Sequence, residues 1–149
     1  MIIKYDFFCD GGEGWSWSNP QGKGLTNDFI ALHGGQVILD RATGLLWQQS
    51  DSSEYMTLAD AQKYVDDLNR QKFAGYSDWR LPTLEEAMSL MEPAKNRDLY
   101  IDAKFDAKQR WIWTSDIYSA GRTWDVDFDD GFCGLYAIGL DYSVRAVRS

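Results

Sequence analysis

GYSDWRLPTLEEAMSL, residues 75–90, decides the reading of this chain, because a turn, a large aromatic residue, a proline stop and a helix start follow one another without a gap. Gly75 and the pair Ser77 and Asp78 carry turn chemistry. Trp79 and Leu81 fall on one side of an extended Trp-Arg-Leu step, and Pro82 biases Leu81 away from the helical region. Thr83 followed three residues later by Glu86 is the capping-box spacing. The hydroxyl accepts from an orphan amide of the first turn, and the carboxylate accepts from the cap amide. Leu84, Ala87, Met88 and Met91 then recur at helical spacing, which predicts a helix lying on an apolar surface and stopped by Pro93. Trp79, Leu81, Pro82, Thr83 and Glu86, with Trp113 and Trp124 from later strands, form the expected structural hub.

The chain has 149 residues, enough to bury one core, and a single domain over 1–149 is expected. Its 23 acidic and 15 basic residues leave a net charge of −8, which argues against a phosphate backbone or an anionic membrane surface as partner. No apolar run approaches the ~20 residues of a membrane helix. MIIKYDFF lacks the basic region and small-residue cleavage site of an export signal. Neither nucleic-acid binding nor membrane insertion is expected. The two cysteines, Cys9 and Cys133, stand at no metal or CxxC spacing; two separate thiols are the first reading and a disulfide between them the alternative. Aromatic residues make up 15% of the chain, more than a minimal core uses, so part of them is expected on display.

Met1 to Phe8 has strand character, and Cys9 to Gly24 is loop by its Gly, Ser, Asn and Pro content. GGEG in that loop opens no helix, so it is not a phosphate cradle. Trp15 and Trp17 read as anchors of the loop. Phe29 to Leu32, Val37 to Leu39 and Leu45 to Trp47 predict hairpin strands. His33, the only histidine, has no acidic or cysteine neighbour in sequence and reads as structural. Gln48 to Tyr55 is expected as polar loop. A first helix over 57–70 buries Leu58, Ala61, Val65 and Leu68, with Asp60, Lys63, Asp66 and Asp67 on a solvated face.

Lys95 to Gln109 reads as a connection pinned by Leu99, Tyr100, Ile101 and Phe105. Trp111 to Ser115 is a strand by composition. Trp124 to Asp129 alternates cleanly: Trp124, Val126 and Phe128 face one way, and Asp125, Asp127 and Asp129 the other. Val144 to Arg148 should close the sheet. The Asp row offers parallel carboxylates along one strand, whereas a hard cation wants oxygens converging on a point. It reads as a solvent-facing or ligand-facing strand, and no metal site, catalytic residue or cofactor is expected.

Between these strands, Asp116 to Gly121 and Phe132 to Tyr142 mix Tyr, Ser, Asp and Gly as antibody loops do, with rigid aromatics for area and small polar groups for adaptation. The candidate binding face comprises Asp116, Ile117, Tyr118 and Ser119; the row Asp125, Asp127 and Asp129; and Phe132, Cys133, Leu135, Tyr136, Ile138, Leu140, Asp141 and Tyr142.

LDRATGLLWQ at 39–48, GYSDWRLPTLEE, IWTS, WDVDFDDG and VRAVR occur in that order. Together they resemble the DUF1566 family, typified by the C-terminal domain of the Legionella collagen-like adhesin. The resemblance covers most of Val37 to Arg148 and leaves residues 1–36 unmatched. It implies an α+β, C-type-lectin-like fold: two helices packed on a small, mostly antiparallel twisted sheet, with long irregular loops formed late in the chain. The calcium motifs of such lectins, Glu-Pro-Asn or Gln-Pro-Asp before Trp-Asn-Asp, are absent, so calcium-dependent sugar binding is not carried over. Formylglycine-generating oxidases share the broader fold, but their cysteine pair has no match in Cys9 and Cys133.

Residues 114–149 contain no Lys, Gln, Glu or Met, where the density over residues 1–113 would place about seven. With Trp, these are the residues out of reach when an AAC codon is randomised at its adenines. That depletion, on this fold, resembles the variable protein of a diversity-generating retroelement. The resemblance implies a non-catalytic module that presents a diversified surface from 114–149 to a protein or other macromolecule. The alternatives from other classes are the oxidase and an adhesin or structural surface protein of fixed sequence.

Overall fold

A computed structural model describes the backbone of Trp15 and Ser16 and residues 26–149 other than Gln109. The architecture is α+β, with two helices and antiparallel sheets, as the sequence leads one to expect. Apart from the backbone of Trp15 and Ser16, the expectations placed on residues 1–25 lie outside the described residues. Those two residues form a short strand inside the stretch read as loop.

The strands are β1 (Trp15–Ser16), β2 (Phe29–Leu32), β3 (Val37–Asp40), β4 (Leu46–Gln48), β5 (Trp111–Ser119), β6 (Arg122–Asp127), β7 (Phe132–Ala137) and β8 (Val147–Arg148). One antiparallel sheet has the order β2-β3-β4-β8 and the other β1-β7-β6-β5. The β2–β3 hairpin turns through His33–Gly35, where Gly34 and Gly35 take the positive φ that other residues resist. His33 is exposed there and its Nε2 lies 3.1 Å from the Tyr76 hydroxyl, so it serves as a surface contact.

Helix α1 (Leu58–Arg70) is capped by Thr57, whose hydroxyl accepts from the Asp60 amide, and it buries Ala61, Val65 and Leu68. Helix α2 (Leu84–Ser89) carries the full capping box: the Thr83 hydroxyl accepts from the Glu86 amide, and Glu86 accepts from the Thr83 amide. It stops four residues short of Pro93, because the Ser89 hydroxyl donates to the Glu86 carbonyl at 2.6 Å and the chain tightens into i+3 bonds at Leu90 and Met91. Met91 is buried, but outside the helix.

The segment after Tyr142 is threaded between the two sheets. Ser143 makes backbone bonds with Trp111 and Trp113, the Ser52 amide donates to the Val144 carbonyl, the Val144 amide donates to the Ser52 hydroxyl, and Ala146 donates to the Gln48 side chain. Val147 then pairs with Trp47 of β4 on one side and with Arg80 on the other. Phe29, Ile38, Trp47, Met88, Ile112, Val126 and Val147 share one buried cluster, so both sheets and α2 contribute to it. Trp79, Leu81 and Trp113 belong to a second, against α1.

Three sequence expectations change here. Gln48, Asp51 and Ser52 are buried and do not form open polar loop. The Arg145 guanidinium fills their surroundings, donating to the carbonyls of Gln48, Gln49 and Asp106 and pairing with Asp51 at 3.4 Å. Asp116 to Ser119 and Phe132 to Ala137 are strand, not loop. Cys133 is disulfide-bonded, so the reading of separate thiols fails at that residue, which is buried on β7. Cys9, the other cysteine of the sequence, lies outside the described residues.

Candidate functional site: the distal end of the β5–β6–β7 sheet

β5 does not run straight along β6. Trp113 pairs with Asp125 and Ile117 with Thr123, so the segment between them bulges, and the register slips again before Ser119 pairs with Arg122. Hydroxyls replace the missing ladder bonds: Thr114 donates to the Trp124 carbonyl at 2.7 Å and Thr123 to the Asp116 carbonyl at 2.8 Å. The bulge also docks on the hub. The Ser115 amide donates to the Pro82 carbonyl at 2.8 Å, and the Leu84 amide, an orphan donor of the first turn of α2, donates to the Asp116 carboxylate. A bulge re-aims side chains. Here it turns Ile117 and Tyr118 outward, to 68% and 58% exposure.

A groove of about 440 Å³ runs between this segment and α2, lined by Thr83, Leu84, Glu85, Asp116, Ile117, Tyr118 and Trp124. Tyr118 stands edge-on to Trp124, their rings 6.4 Å apart. Across Ile117 lies a smaller hollow of about 140 Å³ toward α1, lined in part by Leu58, Gln62 and Leu81. Ile138 joins the same end of the sheet: its amide donates to the Gly121 carbonyl and its carbonyl accepts from the Leu58 amide. Five large apolar side chains are exposed among the described residues, and four of them, Ile117, Tyr118, Ile138 and Leu140, fall within 114–149.

The candidate residues of the sequence therefore separate into groups. Asp116, Ile117 and Tyr118 line the groove at the start of α2, Ser119 pairs with Arg122 beyond them, Ile138 bonds the start of α1, and Leu140 and Asp141 are exposed in the turn that follows β7. Phe132, Leu135, Tyr136 and Tyr142 are half-buried, and Cys133 is buried. Asp125 and Asp127 are 0% and 2% exposed, so the row is not solvent-facing. Aromatic rings cover that face: Tyr136 lies against Gly134, and Tyr142 packs on Trp113 at 4.8 Å. Asp127 accepts from the amides of Asp129 and Asp130 and closes the β6–β7 turn, while Asp129 pairs with Lys95 and Arg110. Burial, then the neighbouring charge of Asp127, pushes the Asp125 carboxyl up to about 8. Among the described residues no group of three His, Cys, Asp or Glu could hold a metal ion. No helix among them is long and apolar enough to cross a membrane.

Thr83, Leu84 and Glu85 had no place in the face read from sequence. Their only sequence signal was a structural one, the capping box, and their part in the groove follows from the docking of β5 on the start of α2.

The described residues define a small α+β domain whose late strands end in an exposed apolar edge beside two helix starts. The chain belongs to the Lcl C-terminal domain family, whose model matches residues 36–148. No curated protein matches it.

Proposed function

We propose that this chain is a single non-catalytic recognition domain with a C-type-lectin-like arrangement, binding a protein or other macromolecule through the distal end of the β5–β6–β7 sheet. The observation that carries the reading is the placement of Ile117 and Tyr118. Both are held outward by a hydrogen-bonded bulge beside a groove, where exposed apolar residues favour an interface. Family membership supports it. So does the topology: the beginning and end of the matched region meet in one sheet through β3, β4 and β8. The test is an array of proteins and glycans probed with the wild-type chain and with Ile117→Ser and Tyr118→Ser. A ligand lost by both variants at unchanged melting temperature supports the face, and one retained by both removes it.

Diversification of 114–149 is the finer part of the proposal. It is supported by the missing Lys, Gln, Glu and Met in the segment that also supplies four of the five exposed large apolar residues among those described. Sequencing the flanking DNA tests it. A nearby copy of the segment differing only at adenines, beside a reverse-transcriptase gene, is expected, and its absence leaves a recognition domain of fixed sequence.

A further inference from the structure

The other face of β6 holds a buried acid that no hydrogen bond or ion pair from the described side chains reaches. Asp125 is 0% exposed, and neither carboxylate oxygen has a hydrogen bond of ordinary geometry, although the backbone amides of Asp125 and Gly134 lie near enough to favour its charge. A buried polar atom is nearly always paired, so one left open calls for a reason. Asp125 sits opposite Trp113 on β5 and Gly134 on β7. A Cβ at Gly134 would stand 2.4 Å from Cε2 of Tyr136, so the glycine is what lets that ring lie down on the strand beside the acid. Tyr142 closes the other side, 5.7 Å from Tyr136 at 82° and 4.8 Å from Trp113 at 63°. The Asp125 charge bears on both phenols. No ion pair of the described residues reaches Asp125, although Asp129 a few residues on draws both Lys95 and Arg110.

We propose that Asp125, Tyr136, Tyr142 and Trp113 form a receptor for a substituted ammonium headgroup, the carboxylate supplying the counter-charge and the steeply angled rings the walls. Ring faces attract cations, and quaternary ammonium is the cation that such cages suit. A bare ammonium carries three strongly hydrated donors, and ring faces replace that hydration poorly. Methyl groups on the nitrogen remove those donors and present apolar surface to the rings. The half-buried Tyr136, resting on a glycine, is the wall that swings out to admit the ligand. The inference does not rest on the groove beside α2: Asp125 variants report on the cage, and Ile117 variants on the groove.

Binding requires the ionised acid, so it expels the Asp125 proton and strengthens as pH is raised toward 8. The titratable groups facing Asp125 are Asp127 on its own strand, Tyr136 from β7 and Tyr142 from the segment beyond it.

Tetramethylammonium chloride, choline, its uncharged isostere 3,3-dimethylbutanol and a peptide bearing trimethyllysine are to be titrated by thermal shift and calorimetry, against sodium chloride at equal ionic strength. The wild-type melting temperature is expected to rise with tetramethylammonium beyond the salt control, as for any ligand of the native state alone. Asp125→Asn, isosteric and checked for folding by circular dichroism, is expected to lose at least about tenfold in affinity, and Tyr136→Ala to follow it. Choline binding more tightly than the peptide assigns a free small molecule, and the reverse order a modified lysine side chain. The proposal is overturned by equal shifts with the uncharged isostere, by no shift beyond salt, or by an Asp125→Asn variant that binds as the wild type does.

Discussion

Arg80 and Val147 exchange both of their backbone hydrogen bonds, each at 3.0 Å, across most of the length of the matched region. The Trp-Arg-Leu step is thereby an added rung beside β8, and the Arg80 side chain turns back to grip Glu86 with two 2.7 Å bonds. Trp79 beside it is 2% exposed, donates from its indole to the Phe73 carbonyl, and has its backbone clamped on both sides by the Asn69 amide. Trp79→Ala is expected to cost about 3–5 kcal/mol as a truncated core aromatic. Thr83→Ala is expected to cost about 1 kcal/mol as a lost cap. Urea titration measures both, and a Trp79 variant of wild-type stability contradicts the central place given to this step.

Arg145 is wholly buried with Asp51 as its acid. Burial pushes the Asp51 carboxyl up to about 6 even though Arg145 pulls it down, so the pair is costly to split. Arg145→Met alone is expected to destabilise by about 3–5 kcal/mol, because it strands a buried acid. Adding Asp51→Asn is expected to recover part of that loss, the remainder being the donors removed from the carbonyls of Gln48, Gln49 and Asp106. A double-mutant cycle in denaturant reads the coupling, and strict additivity excludes it.

Asp125 gives the pH dependence. Its folded pKa, about 8, lies above that of an exposed aspartate, so the folded chain holds a proton that the unfolded chain has already lost. Stability is full below about pH 4 and falls as pH rises toward 8, by at most about 1.4 kcal/mol per unit from this group. Asp125→Asn is expected to flatten that slope, gaining on the wild type steadily between pH 5 and pH 8 in paired denaturation curves. Parallel curves for the two proteins contradict a buried neutral acid.

The aromatic residues of 114–149 should respond unequally to Ser. Tyr118, 58% exposed, is expected to change stability by less than about 0.5 kcal/mol, as at ordinary surface positions. Tyr142, packed on Trp113, is expected to cost about 1–3 kcal/mol. Melting curves of the two variants separate display from support, and equal losses contradict the division.

What was legible in the sequence was what neighbours in sequence determine. The turn, the proline and the Thr83–Glu86 spacing act within a few residues, and they appear as read. Charge alternating with apolar residues, as in the Asp125 and Asp127 row, marks a strand with one face toward solvent or a ligand. The row's cover comes from Tyr136 and Tyr142, and no local pattern announces it. Arg145 lies in a plain strand-like run, and its burial depends on carbonyls nearly a hundred positions earlier. The bulge at Asp116 has the Ser, Asp and Tyr content of a loop. Hydroxyls at Thr114 and Thr123 keep it in the sheet.

The threading of residues 143–147 between the sheets also governs when the protein can exist at all. During synthesis the earlier strands and both helices leave the ribosome with the slot between them empty, and Ser52, Gln48 and Arg80 await partners translated long after them. Closure therefore waits until Val147 has cleared the exit tunnel. Side chains exposed in 114–142 take no part in that closure, whereas a shift of reading frame upstream of Ser143 removes the segment that performs it.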